Sequence, residues 1–323
     1  FDVGDNTISV FGTLAHSSKF DYMTGSFKSF RNNTLNNDFS DTEIYSVNVN
    51  TTGLLNLEYK FNNVNSITLN TLYINKTKDE LYEQGRNGLG EVRDQRPPSN
   101  ITPTEYEDMG AFVRDQNLKQ TTILVNQLLG KHELTDSNKL TWGVGFNIVD
   151  AQEPNRIRNE VNILTPGTDV EIINVGGFDN RKTEQYILDT EISGYIEDQI
   201  NFKDELDDDI LKLNYGVNVR NKTRKFNSQF VGAVLRTAHR QFTVSSVDNL
   251  SDAFVQQNFD DNVFKVDEQR QDLYNGGLSV LGGFADITFS KNKLSGNLGL
   301  RYELDKIDVD WDVKNYRNPD TNE

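Results

Sequence analysis

Residues 294–304, LSGNLGLRYEL, alternate without a fault: Leu294, Gly296, Leu298, Leu300, Tyr302 and Leu304 fall on one face, Ser295, Asn297, Gly299, Arg301 and Glu303 on the other. A period of two is the mark of a β-strand, whose successive side chains point to opposite faces. The pattern leaves open which face meets water. A half-buried strand of a soluble sandwich and a lipid-facing strand of a membrane barrel alternate alike.

The same period recurs along the chain. It is present in NTISVFGTLAH (6–16), in TGLLNLEYKF (52–61) and SITLNTLYIN (66–75) about the turn NNVN, and in KLTWGVGFNIV (139–149). It returns in YILDTEISGYIEDQINF (186–202), ILKLNYGVNVR (210–220) and LSVLGGFADITF (278–289), whereas QTTILVNQLLG (120–130) is apolar in both registers. About nine strands result, an all-β, antiparallel up-and-down meander. Its connections alternate in length. Short polar turns at 62–65, 131–138, 203–209 and 290–293 are separated by long polar stretches at 17–42, 77–118, 152–184 and 221–275, read as loops. A sandwich with Greek-key links does not sort its loops in this way, whereas outer-membrane barrels have short periplasmic turns and long extracellular loops. Aromatic residues collect near strand ends, Phe61, Trp142 and Phe289 beside short turns and Tyr73 and Tyr186 beside long stretches, as two interfacial girdles would require.

Residues 1–323 are therefore expected to be part of one outer-membrane β-barrel domain, a partial transmembrane β-barrel with short periplasmic turns and long extracellular loops. Leu294 to Leu304 would face lipid and Ser295 to Glu303 a polar lumen. Beyond Leu304 the apolar residues Ile307, Val309 and Trp311 change parity, which predicts a β-bulge or the strand's exit from the membrane. Glycine recurs on the polar face at Gly143, Gly145, Gly216 and Gly299, which fits close approach of another backbone and equally fits kinks that curve the wall.

Composition sets wide bounds. No run of about 18 apolar residues occurs, so a transmembrane helix is excluded and a barrel is not. Thirty-three Lys and Arg against 49 Asp and Glu leave a net charge of −16 without a basic cluster, which argues against a nucleic-acid partner. The first residues, FDVGDNTISV, carry neither a basic start nor an apolar signal core, so the sequence reads as a mature form or an internal piece.

Two hairpins carry a family resemblance. GYIEDQINF followed by LKLNYGVNVR (194–202 and 211–220), GGFADITF followed by LSGNLGLRYEL (282–289 and 294–304), and the GKHEL turn (130–134) resemble the TonB-dependent outer-membrane receptors of the type common in Bacteroidetes. The hairpins are also loose copies of each other, with Asn214/Gly216 answering Asn297/Gly299. The resemblance implies a barrel of roughly 22 strands around a plug, and energised uptake of a specific substrate. It implies as partners outer-membrane lipid, the protein's own plug domain and TonB through a further N-terminal part, and an unidentified small substrate such as a siderophore, glycan or peptide. A surface lipoprotein partner is left open. Localisation would be the outer membrane of a Gram-negative bacterium of the Bacteroidetes. The sequence departs from the pattern in having no plug, no energy-coupling box and too few strands, so it reads as truncated at both ends. A passive porin, or a soluble or surface-displayed β-rich binding or adhesion module, is the alternative.

Nothing in the sequence points to an enzyme. His16, His132 and His239 are scattered and no cysteine accompanies them, so neither a nucleophile nor a metal site is expected, and no cofactor is called for. GRNGLG (85–90) lacks dinucleotide-binding spacing, and DELDDD (204–209) lacks the alternating ligands of a calcium loop. Ligand contacts are instead expected from the 77–118 stretch, where Arg86, Arg93, Arg96, Tyr82, Tyr106 and Phe112 concentrate, and from Arg220 and Arg301 near the polar face. The two last arginines are as well suited to pairing with neighbouring acids.

Overall fold

The computed structural model describes residues 1–4, 6–62, 64–92, 110–163, 170–173, 180–203, 209–239, 241–269, 271–291 and 293–312. Nine long strands dominate: β1 (Asn6–Arg31), β2 (Thr34–Lys60), β3 (Ser66–Gln84), β4 (Gly110–Thr135), β5 (Asn138–Ile163), β6 (Arg181–Lys203), β7 (Asp209–Leu235), β8 (Asp272–Lys291) and β9 (Leu294–Asp312). They lie side by side in chain order, each antiparallel to the next, and five short strands bring the sheet to 14. The expected meander is what forms. The sheet is open: among the described residues β9 pairs only with β8, and β1 only with β2 and the two-residue strand Asp2–Val3. With nine strands, β1 and β9 run in the same direction and cannot close the sheet on each other in antiparallel fashion.

The four short turns expected from the sequence connect strands at one end, called here the lower end. At the upper end the structure corrects the expected loops. Residues 17–42 are not irregular: β1 and β2 run through them and meet at a two-residue turn, where Asn32 and Asn33 take positive φ (50° and 63°) as a tight hairpin requires. Likewise β3 continues to Gln84, β5 to Ile163 and β7 to Leu235, while β4 and β6 begin at Gly110 and Arg181. Apolar alternation is broken there because, away from the tops of β4, β5 and β7, polar cross-strand pairs and the ladder hold these upper halves. Asn48 donates to Asp21 (3.0 Å), Lys28 pairs with Asp38 (2.8 Å) and Arg224 with Asp189 (2.6 Å). Tyr73 and Tyr186 consequently sit within strands, not beside loops. The expected bulge past Leu304 is also absent. The β8–β9 register runs unbroken from Lys291 opposite Leu294 to Leu273 opposite Asp312, so Ile307 and Trp311 turn onto the polar face against Leu278 and Tyr274.

Over the upper end folds a lobe with a core of its own. A 3-10 helix (Val247–Phe254), a short helix α1 (Gln256–Asp260) and the paired strands Val170–Ile173 and Gln241–Val244 pack on the tops of β4, β5 and β7. Phe112, Ile163, Ile172, Leu235, Leu250 and Phe264 are buried together. Ser246 caps the first helix, accepting from the Asp248 amide at 3.2 Å. Among the described residues no helix is long and apolar enough to cross a membrane.

The lower halves carry a continuous apolar band on one face, and the band crosses the register obliquely. Ile8 begins it on β1, and the row of direct cross-strand partners from Ile8 passes through Tyr59, Ile67, Gly130, Trp142, Ile196, Val217 and Gly283 to Tyr302. On β9, however, the band begins at Leu294, eight residues lower after eight strand-to-strand steps. The upper border moves the same way: the row through Ile148 on β5 reaches Asp308, while the band on β9 ends at Leu304. One residue of stagger, about 3.3 Å, per strand spacing of about 4.8 Å is a tilt of about 35°.

Candidate functional site

The polar face of the upper halves holds a cleft of about 350 Å³ lined by Phe27, Glu80, Tyr82, Gln84, Asp115, Asn117, Lys119, Arg156 and Arg158. Tyr82 stands opposite Asp115, and Asp115 opposite Arg158, so one row across three strands joins a phenol, a carboxylate and a guanidinium.

A local irregularity puts the two arginines there. Along the lower part of β5 the polar face is odd-numbered, from Lys139 through Asn147 to Glu153. Between Glu153 and Arg156 three residues of β5 span two of β6, from Gln185 to Thr183. Pro154 lies inside this bulge, where its missing N–H costs the ladder nothing. The extra residue changes parity, so Arg156 and Arg158 meet the polar face instead of the apolar one.

The charges in the cleft are mutually satisfied. Arg156 holds Asp115 with two donors, Nε at 3.0 Å and Nη2 at 2.7 Å, and this hydrogen bonding raises the guanidinium pKa. Arg158 pairs with Glu160 at 3.2 Å and approaches Asp115 at 3.8 Å. Lys119 bridges to Glu153 at 3.1 Å. Tyr82 donates to Gln84, and burial pushes its hydroxyl pKa up. Asn117 donates to Glu153 (3.1 Å), and its buried Oδ1 has no partner. The cleft therefore offers an aromatic edge, amides and an accepting oxygen between neutralised ion pairs.

The other expected contacts fall elsewhere. Arg86 forms a latch on the opposite face, donating to Glu83 (2.9 Å) and to Asp248 of the lobe (3.0 Å). Arg114 completes it through Glu83 (2.6 Å), Asp248 (3.2 Å) and the Val247 carbonyl (2.9 Å). Both guanidiniums lie over the Phe112 ring, 5.9 and 5.5 Å from its centre. Phe112 is a core residue of the lobe. Arg301 donates to Glu303 (2.7 Å) and to Asn218 (3.1 Å) on the polar face of the lower half, where Arg220 also lies, opposite Val280. Arg93, Arg96 and Tyr106 lie outside the described residues. Asp115, Asn117, Arg156 and Arg158 were not singled out from the sequence. Pro154 within a long polar run is the signal that could have found the arginines. Among the described residues no group of three or more His, Cys, Asp or Glu is placed to hold a metal ion.

The polar-face glycines also have a different surrounding from the one expected. A Cβ on Gly216 would come within 2.8 Å of the Phe284 ring, and one on Gly145 within 2.7 Å of the Ser193 hydroxyl. Gly143 is covered by Tyr195 in the same way. The space beside these glycines is filled from the neighbouring strand.

No protein-family model matches the chain, and no curated protein matches it. Among solved structures, the crystal structure of Pseudomonas aeruginosa OccK5 (OpdH) is similar at 8% identity, covering 95% of this chain and 99% of that chain, with a TM-score of 0.09.

Proposed function

We propose that the sheet is part of the wall of an outer-membrane β-barrel, and that the chain belongs to a TonB-dependent receptor that imports a specific small substrate. The observation that carries the wall reading is the oblique apolar band. A band that stays level in a bilayer must cross the register of tilted strands obliquely, and the tilt of about 35° matches that of transmembrane barrels. A nine-residue run such as Leu211–Val219 then rises about 25 Å, the height of their apolar belt. Leu298, 77% exposed, would face lipid, and Asn297 the lumen. Aromatic residues at the lower border, Phe61 against Tyr59 and Trp142 against His132, suit an interfacial girdle.

On this reading the lower turns are periplasmic and the upper halves and lobe stand outside the cell. Further strands cover the two open edges, because a bare edge of 26 residues would template aggregation. An antiparallel closure needs an odd number of them. The import reading is supported by the resemblance of the hairpins and by the polar cleft, whose paired charges and free acceptor suit a ligand bound at the surface before passage. A plug and TonB are the partners it requires, in a bacterium of the Bacteroidetes type.

The test uses the full-length protein in cells. Ligand is expected to bind at the surface without energy and to accumulate only while the inner-membrane potential is intact. Accumulation unchanged after that potential is collapsed, together with large steady conductance in planar bilayers, would make the protein a passive porin.

A further inference from the structure

Between the lobe and the wall lies a second cavity, on the face opposite the polar cleft. Its volume is about 520 Å³, within the range of small-molecule sites. Leu250, Phe254 and Phe259 from the two helices face Val231 and Val266 from the strands, so the body of the cavity is apolar. Donors line it too: Lys182, directly opposite Val231, and the amides of Gln116, Asn159 and Asn180. Asn159 already gives its amide N–H to the Asn180 carbonyl oxygen at 3.0 Å, which leaves the Asn180 amide nitrogen to donate. Lys182 touches Glu184 at 3.0 Å, but the two side chains are 49% and 37% exposed, so that pair is a weak competitor for the ammonium. Arg114 lines the cavity as well, with Asp248 as its counter-ion.

We propose that this cavity binds a small amphipathic anion, its apolar or aromatic body between Phe254, Phe259 and Val231 and its carboxylate at Lys182 and Asn180. A neutral apolar molecule would fill the body and leave the donors unanswered. A cation would meet Lys182. Because the lobe is clamped to the wall by Arg86 and Arg114, the cavity is formed before any ligand arrives. The site is separate from the polar cleft and does not depend on what the protein transports.

Photolabelling of the full-length protein in membranes with 4-benzoylbenzoate tests this, with modified residues located by mass spectrometry. Saturable labelling within 231–266 is expected, competed by 1-naphthoate at least tenfold more effectively than by the neutral 1-naphthylmethanol. Lys182→Glu should lower labelling at least fivefold, and Arg156→Ala in the polar cleft should leave it unchanged. Equal competition by the neutral alcohol, labelling confined to other regions, or full labelling of a folded Lys182→Glu protein would each overturn the proposal. The competition is read on the unaltered protein, so it decides even where the variant fails to fold.

Discussion

Phe284 covers Gly216 from the neighbouring strand, its directly opposed partner in the β7–β8 ladder. The same direct pairing of an aromatic ring with glycine recurs at Trp142 and Gly130, Tyr195 and Gly143, and Phe289 and Gly296. Glycine weakens a strand because it is flexible and brings no side chain to pack; a ring laid across it restores the packing. Gly216→Val should therefore destabilise the assembled sheet by about 1–3 kcal/mol through overpacking, since a β-carbon there also comes 2.7 Å from the Ile196 carbonyl oxygen. Gly53→Ala, whose β-carbon meets only a Leu14 methyl at 3.8 Å, should be close to neutral. Heat-resistant migration in detergent gels reads the difference, and equal loss for both would refute the pairing argument.

Arg156→Ala removes the bidentate partner of Asp115, which is 8% exposed. A loss of about 1–3 kcal/mol is expected from an unsatisfied buried carboxylate. Asp115→Asn should recover part of it in the Arg156→Ala background, measured by denaturant unfolding. A variant as stable as the parent would mean that Arg158, 3.8 Å from Asp115, satisfies the carboxylate by itself.

The lobe latch should weaken in acid. Hydrogen bonding from Arg86, with Arg114 in support, holds the Asp248 carboxyl below its ordinary range. A carboxylate with a lowered folded-state pKa contributes stability above its unfolded value of about 3.9, and loses it as pH falls through the folded value. Protection factors of the amides over 247–260, exchange rates divided into those of the unstructured chain at the same pH, should therefore be high at about pH 5 and fall below about pH 4. Asp248→Asn should have low protection at both. Acid-insensitive protection in the unaltered protein would show that the apolar core alone holds the lobe.

The lower half of the fold was legible because lipid or core contact imposes a period of two; β9 could be read from its eleven residues Leu294–Leu304 alone. The upper half was not. In β1 from Ser17 to Arg31 polar residues stand on both faces, and pairing through Asp21, Lys28 and their partners leaves no hydrophobic period and resembles a loop. QTTILVNQLLG was ambiguous for a physical reason as well. Leu124 and Leu128 lie on the banded face while Ile123, Val125 and Leu129 lie on the other, which is apolar on this strand. Of the site, Tyr82 was found from composition. The charged residues around it depend on a one-residue change of parity at Pro154, and a single proline in a polar run does not say in which direction the strand resumes.

The oblique band makes a prediction that a level register would contradict. Leu300 on β9 and Leu140 on β5 belong to one row of direct partners, through Ala285, Tyr215 and Asp198. If strands stood upright in the bilayer, the two would lie at one depth. With one residue of stagger per strand, four strand steps separate them by about four residues, or about 11 Å along the membrane normal at a tilt of about 35°. Leu300 then lies near mid-bilayer and Leu140 near the lower border. In a full-length protein whose Trp142 and Trp311 are replaced by Phe, tryptophan at 300 should be quenched most by lipids brominated near the chain ends. Tryptophan at 140 should be quenched most by lipids brominated near the headgroup. Equal quenching profiles would remove the tilt and the membrane-wall reading built on it, and no quenching at either position would mean that this face does not meet lipid.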